Sequence, residues 1–309
     1  MKFVRALVAS LFLFFLPNLT LGQTLRDHII DNHFVYIPWK EGRFPTLVAI
    51  PGCSGVSSDN PAAEEINPQL HEDDLLFRRH YRVMAERFRA EGYVVLLINI
   101  HSAEGVLTAC NGEIKNARLA EYINEAVAWA KNLPFVDSHK INVIGWSMGG
   151  GGVLKWLDGP RSEAANVRSA IAVYPGCDEV TDLTLSIPIL MLLGGSDDIA
   201  KPSVCENLVD SVAIKQQITI TNYPDARHGF DIADAPPVLD IGNGMTIGFQ
   251  KEAAEASWTA ILQFLASSND RPWPTAEKSG AKFTPIEYTL SGSNRNRLRL
   301  GGLSPPSTR

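Results

Sequence analysis

The chain has 309 residues, long enough for one large α/β domain with a substantial core. Hydrophobic residues make up 45% and charged residues 20%, an ordinary globular balance. The formal net charge of −6 argues against a nucleic-acid partner, and the sequence shows no internal repeat and no zinc-binding spacing.

Residues 1–22 read as a secretory signal. Lys2 and Arg5 form a positive start, Ala6 to Leu16 an apolar core, and Pro17 ends it. Thr20-Leu21-Gly22 offers small residues for cleavage before Gln23. The apolar run is too short for a comfortable membrane span, so no stable anchor is expected after cleavage. The mature chain is then expected to be secreted or periplasmic, in an oxidising compartment.

The expected hydrolase domain covers residues 23–268. Residues 33–40 read as an outer strand, with Pro38 suited to an edge. Residues 45–51 form a continuous apolar run, the pattern of a parallel strand buried on both faces. Gly52-Cys53-Ser54-Gly55 closes it as a turn. The acidic group at 71–74 suits a helix start better than a metal site, since it complements the helix dipole. A helix over about 75–91 follows, ended by Gly92. Residues 93–99 are a second buried strand, and His101 beyond it suits a surface or hydrogen-bonded role. Residues 116–132 carry Leu119, Tyr122, Ile123, Ala126, Val127 and Ala130 at helical spacing.

Ile141 to Ile144 are β-prone, and Gly145-Trp146-Ser147-Met148-Gly149 follows directly. This G-x-S-x-G pattern puts a serine on a tight strand-to-helix turn, with the helix running to about Leu157. Further strands are expected over 168–174, 187–193 and 217–222, and helices over 202–213 and 250–266. Alternating apolar strands and amphipathic helices specify a mostly parallel, doubly wound sheet with helices on both faces. Residues 269–309 are polar and proline-punctuated, with little to bury, and are expected to be a largely disordered tail.

Four cysteines remain in the exported part, Cys53, Cys110, Cys177 and Cys205. In a parallel sheet the loops that carry them emerge at one edge. Cys53–Cys110 and Cys177–Cys205 are therefore the expected disulfides.

A serine hydroxyl needs a base for its proton and a third group to orient that base. His228 is the one histidine after Ser147 in the sequence, in a polar turn beyond the last strand. Of the carboxylates between them, Asp197 and Asp198 directly follow an apolar strand and Gly194-Gly195-Ser196. Asp197 is the expected acid and Asp198 the alternative, because adjacent side chains point apart. The backbone N–H of Cys53 or Ser54 is placed to help hold an oxyanion, with another from the start of the helix behind Ser147.

The order Ser147, Asp197, His228 is that of α/β-hydrolases. Gly145-Trp146-Ser147-Met148-Gly149-Gly150, Gly194-Gly195-Ser196-Asp197 and His228-Gly229-Phe230 resemble motifs of the dienelactone hydrolase family. The likeness covers roughly residues 30–268 and includes the Gly-Met-Thr-Ile-Gly-Phe stretch at 244–249. It implies Ser147 as nucleophile, Asp197 as acid, His228 as base, and an oxyanion hole of the Cys53 and Met148 N–H groups. The name-giving enzymes carry cysteine as nucleophile, a glutamate near the oxyanion loop and an arginine just after the histidine. This chain has Ser147, the loop Pro51-Gly52-Cys53-Ser54-Gly55, and Asp231 and Ile232 after Phe230.

These features suit a serine esterase acting on a small-molecule carboxylic ester or lactone through an acyl-enzyme, with no metal or organic cofactor required. A peptidase or acyltransferase could use the same three residues. A non-catalytic binding module on a hydrolase fold is the rival from another class. Segment 231–249 is expected beside the pocket.

Overall fold

Alternate residues along each inner strand enter two different hydrophobic cores. Val48 and Ile50 of β2 (Phe44–Ile50) join one cluster, while Leu47 and Ala49 join the other. The same split divides Val94, Leu96 and Ile98 from Val95 and Leu97 in β3 (Val94–Ile98). It also divides Ile189, Met191 and Leu193 from Leu190 and Leu192 in β6 (Ile189–Gly194). A strand buried on both sides has no polar face to spare, which is why these segments read as unbroken apolar runs. Each such valine, leucine, isoleucine or methionine side chain contributes about 1.5–3 kcal/mol by leaving water.

The computed structural model describes residues 25, 33–56, 72–159, 163–184 and 187–271. The expected signal segment 1–22 lies outside the described residues, as do His71 and the tail from 272 onward.

Seven strands form the main sheet in the order β1-β3-β2-β4-β5-β6-β7. The outer strand β1 (His33–Tyr36) pairs antiparallel with β3 and stops short of Pro38. All other neighbours in the sheet are parallel. They are β2, β3, β4 (Val136–Trp146), β5 (Ser169–Val173), β6 and β7 (Ile218–Tyr223). The α/β-hydrolase reading of the sequence therefore holds for the sheet. β4 begins five residues ahead of the apolar run at 141, because Val136 pairs with Phe44 and the register shifts before Thr46.

Helices cover both faces. On one side lie α1 (Glu72–Ala90), which contributes Tyr81, Met84, Ala85 and Phe88, and α6 (Lys251–Asn269), which contributes Ala253, Ile261 and Leu265. On the other lie α3 (Asn116–Ala130), α4 (Met148–Leu157) and α5 (Pro202–Ser211). The short helix α2 (Ile100–Ala103) was not expected from periodicity; Asn99 caps it by accepting the Ser102 N–H at 3.3 Å. A small hairpin, β8 (Leu239–Asp240) with β9 (Thr246–Ile247), also lay beyond the sequence reading.

The chain goes from β2 out to β3 and then returns to place β4 on the opposite side of β2. In open α/β sheets, ligand crevices form where the strand order reverses in this way. Ile50 and Gly145 are register partners, so the turn after β2 and the turn after β4 emerge side by side.

Both expected disulfides are present, Cys53–Cys110 and Cys177–Cys205. The first fastens the turn after β2. The second ties the loop after β5 to α5.

Candidate active site

Two close backbone approaches fix the turn at the end of β4. A Cβ on Gly145 would meet the Gly149 carbonyl oxygen at 2.3 Å, and one on Gly149 would meet the Ile50 oxygen at 2.3 Å. No side chain larger than hydrogen fits either position. Between them Ser147 adopts φ 50° and ψ −120°, a strained conformation for a residue with a Cβ. Its N–H donates to the Val173 carbonyl at 2.9 Å, and its own carbonyl accepts from Gly151 N–H at 2.9 Å. The side chain is thereby held outward and stays partly exposed.

His228 reaches this serine from the loop after β7. Its Nε2 lies 2.8 Å from Ser147 Oγ, and its Nδ1 lies 2.8 Å from Asp197 Oδ2. Gly229, at φ 70°, makes the turn that follows. Asp197 comes from the loop after β6, the strand beside β7, where Gly194 and Tyr223 are register partners. Its second oxygen, Oδ1, accepts the backbone N–H groups of Ile199 at 2.9 Å and Ala200 at 2.8 Å. Both Asp197 and His228 are buried. With Nδ1–H donating to Asp197, Nε2 is left to accept the serine proton.

The neighbouring aspartates point in different directions. Asp198 turns away and accepts Thr246 N–H at 2.9 Å and the Thr246 hydroxyl at 2.6 Å. Those bonds, with the charge of Arg227, outweigh the burial that opposes its ionisation, and its carboxyl lies below the usual range. Thr246 also accepts from Arg227 at 2.8 Å, and Ile247 bridges to His228. Segment 231–249 thus packs onto the loop that carries His228.

The turn after β2 borders Ser147 from the other side. A Cβ on Gly52 would lie 3.3 Å from the Ser147 Cβ. The turn is closed by Gly55 N–H donating to the Gly52 carbonyl at 3.1 Å. In a trans peptide the Cys53 N–H points opposite to that carbonyl, out of the turn. The Cys53 carbonyl accepts from His101 Nε2 at 2.8 Å, Ala109 N–H at 2.8 Å and the Thr108 hydroxyl at 3.3 Å. His101 is therefore a buried brace of this turn rather than a surface residue. Met148 begins α4 immediately behind the serine, where helix N–H groups are free to meet an anion.

Tyr174, which carries no signal in the sequence, and Asp231, which stands there only as a departure from the family's arginine, complete the surroundings. Tyr174, just beyond β5, places its ring 4.7 Å from the His228 ring. Its hydroxyl donates to Asp231 Oδ1 at 2.7 Å. The other Asp231 oxygen accepts Trp146 Nε1–H at 3.1 Å and lies 3.4 Å from His80 Nε2. Burial raises the Tyr174 pKa well above the phenol value, and the Asp231 charge pushes it further, so Tyr174 keeps its proton. Burial opposes ionisation of Asp231, but the nearby His80 and the hydrogen bonds from Tyr174 and Trp146 outweigh it and hold the carboxyl below its usual range. Tyr174 does carry one local sign of its role, a positive φ of 37°. That sign exists in the backbone and not in the sequence.

Among the described residues, no group of three or more His, Cys, Asp or Glu side chains is arranged to hold a metal ion. Among them too, no helix is long and apolar enough to cross a membrane.

Comparison with known proteins agrees with this fold. The model of the dienelactone hydrolase family matches residues 77–268. A Methylorubrum extorquens protein named as a carboxymethylenebutenolidase is 23% identical over 242 residues, covering 74% of this chain and 78% of that one. Among solved structures, a dienelactone hydrolase of Klebsiella pneumoniae superposes with a TM-score of 0.56 at 17% identity, over 74% of this chain and 90% of the other. A propionate-bound esterase of Thermogutta terrifontis superposes with a TM-score of 0.51 at 16% identity, over 76% of this chain and 88% of the other. Identities this low speak for a common fold. With more than half of its length matched by the family model, the chain belongs to the dienelactone hydrolase family, and it is a hydrolase of carboxylic esters or lactones.

Proposed function

We propose that the protein is an exported serine esterase that works through an acyl-enzyme. Ser147 is the nucleophile, His228 the general base and acid, and Asp197 the group that orients the imidazole. The observation that carries this reading is the pair of 2.8 Å contacts running from Ser147 Oγ through His228 to Asp197.

As Ser147 Oγ attacks the ester carbonyl, its proton passes to His228 Nε2. The Nδ1–H bond to Asp197 fixes the tautomer that makes this possible and stabilises the imidazolium that results. The carbonyl oxygen, now negative, sits between the Cys53 and Met148 N–H groups. Losing one such donor typically costs about 3 kcal/mol of transition-state stabilisation. The imidazolium returns the proton to the departing alcohol. Water then repeats the sequence on the acyl-serine with His228 as base, releasing the acid.

Export is supported by the apolar, positively flanked residues 1–22 and by two disulfides, which persist outside reducing compartments. A small-molecule ester is the expected substrate, with neither metal nor organic cofactor in the chemistry.

Hydrolysis of nitrophenyl esters of graded acyl length tests the proposal. Ser147→Ala should lose essentially all turnover and keep its melting temperature, and a fluorophosphonate probe should label the parent but not the variant. Undiminished turnover in Ser147→Ala would remove Ser147 as nucleophile. Faster acyl transfer to an amine or alcohol than to water would point to the acyltransferase alternative, and preferred amide cleavage to a peptidase.

A further inference from the structure

The buried carboxylate of Asp231 has no part in the proton path above, yet it touches three of the segments that form the site. It sits three residues beyond His228 on the same loop. It accepts a hydrogen bond from Trp146, the residue directly before Ser147, and another from Tyr174, whose ring lies against His228. On the side of α1 it is met by His80. Asp231 is only 8% exposed, and Tyr174 and Trp146 are each 1% exposed. A carboxylate so far from water is kept for what it contacts, because its desolvation must be offset by those partners.

We propose that Asp231 is a positioning residue that acts on His228 through Tyr174. The inference rests on the reading of His228 as the base. Two effects follow from the geometry. The first is alignment: one carboxylate ties the end of β4 and the end of β5 to the histidine loop, so the serine and the imidazole are held in one register. The second is electrostatic. A phenol that donates a 2.7 Å hydrogen bond to a carboxylate gains electron density in its ring. That ring lies 4.7 Å from the imidazole, at a tilt of 59°. An aromatic ring attracts a cation more strongly than it attracts a neutral ring, so it favours the imidazolium formed as Ser147 is deprotonated. The negative charge of Asp231 acts in the same direction.

Other charged and titratable groups surround this pair and must be separated from it. Asp197 faces His228 from the loop after β6. Tyr81 and Arg87, with His80, face Asp231 from α1. Tyr174→Phe removes only the hydroxyl. It keeps the ring against His228 and leaves the Asp231 contacts with His80 and Trp146 in place. Asp231→Asn removes the charge at nearly constant shape but disturbs all three partners. Tyr174→Phe is therefore the decisive variant.

A group that stabilises the imidazolium raises the pKa of the base, so removing it lowers that pKa. The acid limb of kcat/KM for a nitrophenyl ester should move to lower pH by about 0.5–1 unit in Tyr174→Phe, and kcat should fall about tenfold with KM little changed. Asp231→Asn, if it folds, should move the limb in the same direction. A purely structural role would lower the melting temperature and scale the whole profile without moving its limb. An acid limb that stays within about 0.2 unit of the parent's in Tyr174→Phe, roughly a 1.6-fold change in the protonation equilibrium, overturns the proposal. Both variants are compared with Ser147→Ala. An unmoved limb on activity that still depends on Ser147 sinks this inference alone, whereas activity independent of Ser147 sinks the triad reading beneath it.

Discussion

At the residue scale, the site depends on backbone conformations that side chains do not choose freely. Ser147 at φ 50° costs about 1–3 kcal/mol, and the glycines on either side let the surrounding backbone hold it there. Asp197 and Asp198 are chemically identical neighbours, yet one meets the imidazole and the other ties down Thr246. This difference is measurable. Asp197→Asn should lower kcat by about four orders of magnitude, since the amide favours the wrong imidazole tautomer. Asp198→Asn should change kcat by no more than a few-fold, with its effect showing in melting temperature instead. Comparable losses in both variants would mean that the two carboxylates share the role. The sequence reached Ser147, His228 and Asp197 because each follows a strand within a recognisable local pattern. It did not reach Tyr174, and it met Asp231 only as a departure from the family's arginine, because a tyrosine before Pro-Gly and an aspartate after Gly-Phe carry no local signature of what they contact.

At the element scale, one turn supports a proposed oxyanion donor and one disulfide secures it. The Cys53–Cys110 bridge closes a sequence separation of 57 residues. In the chain-entropy model such a loop contributes about 4 kcal/mol by restricting the unfolded chain. It also holds Cys53 where three donors converge on its carbonyl. The double variant Cys53→Ala/Cys110→Ala should therefore show a lower melting temperature and, below that temperature, a kcat reduced more than KM is altered. A stable variant with the parent kcat would show that the three hydrogen bonds suffice to hold the turn. The pairing was legible because both cysteines follow neighbouring parallel strands. The role of His101 as a brace was not, because it depends on α2, four residues too short to leave a periodic pattern.

At the scale of the whole molecule, the sheet delivers four consecutive strand ends to one edge. β4, β5, β6 and β7 lead into Ser147, Tyr174, Asp197 and His228 in turn, while β2 adds the turn at 52–55. The reversal of strand order beside β2 leaves the crevice into which these loops project. Global stability is expected to register the buried charge beneath them. Asp231 has a folded-state pKa below its unfolded value, so its contribution is fully present above the unfolded carboxyl pKa of about 3.9 and is lost as pH falls through the folded value. The melting temperature of the parent should accordingly drop below about pH 4 more steeply than that of Asp231→Asn. Parallel curves for the two proteins would mean that Asp231 adds nothing to the acid response.

The amino-acid sequence by itself determined the layered α/β architecture, the nucleophile turn, the histidine and the disulfide partners. These are written in hydrophobic periodicity, in glycine spacing and in chain order, which are local or one-dimensional properties. The tertiary structure alone decided what braces the Cys53 turn and that Asp231 and Tyr174 stand behind His228, and it turned Asp197 rather than its alternative Asp198 toward the imidazole. Those outcomes depend on the directions of side chains far apart in the chain, as with Trp146 and Asp231, 85 residues apart. Direction is set by packing against neighbours that only the folded chain brings together.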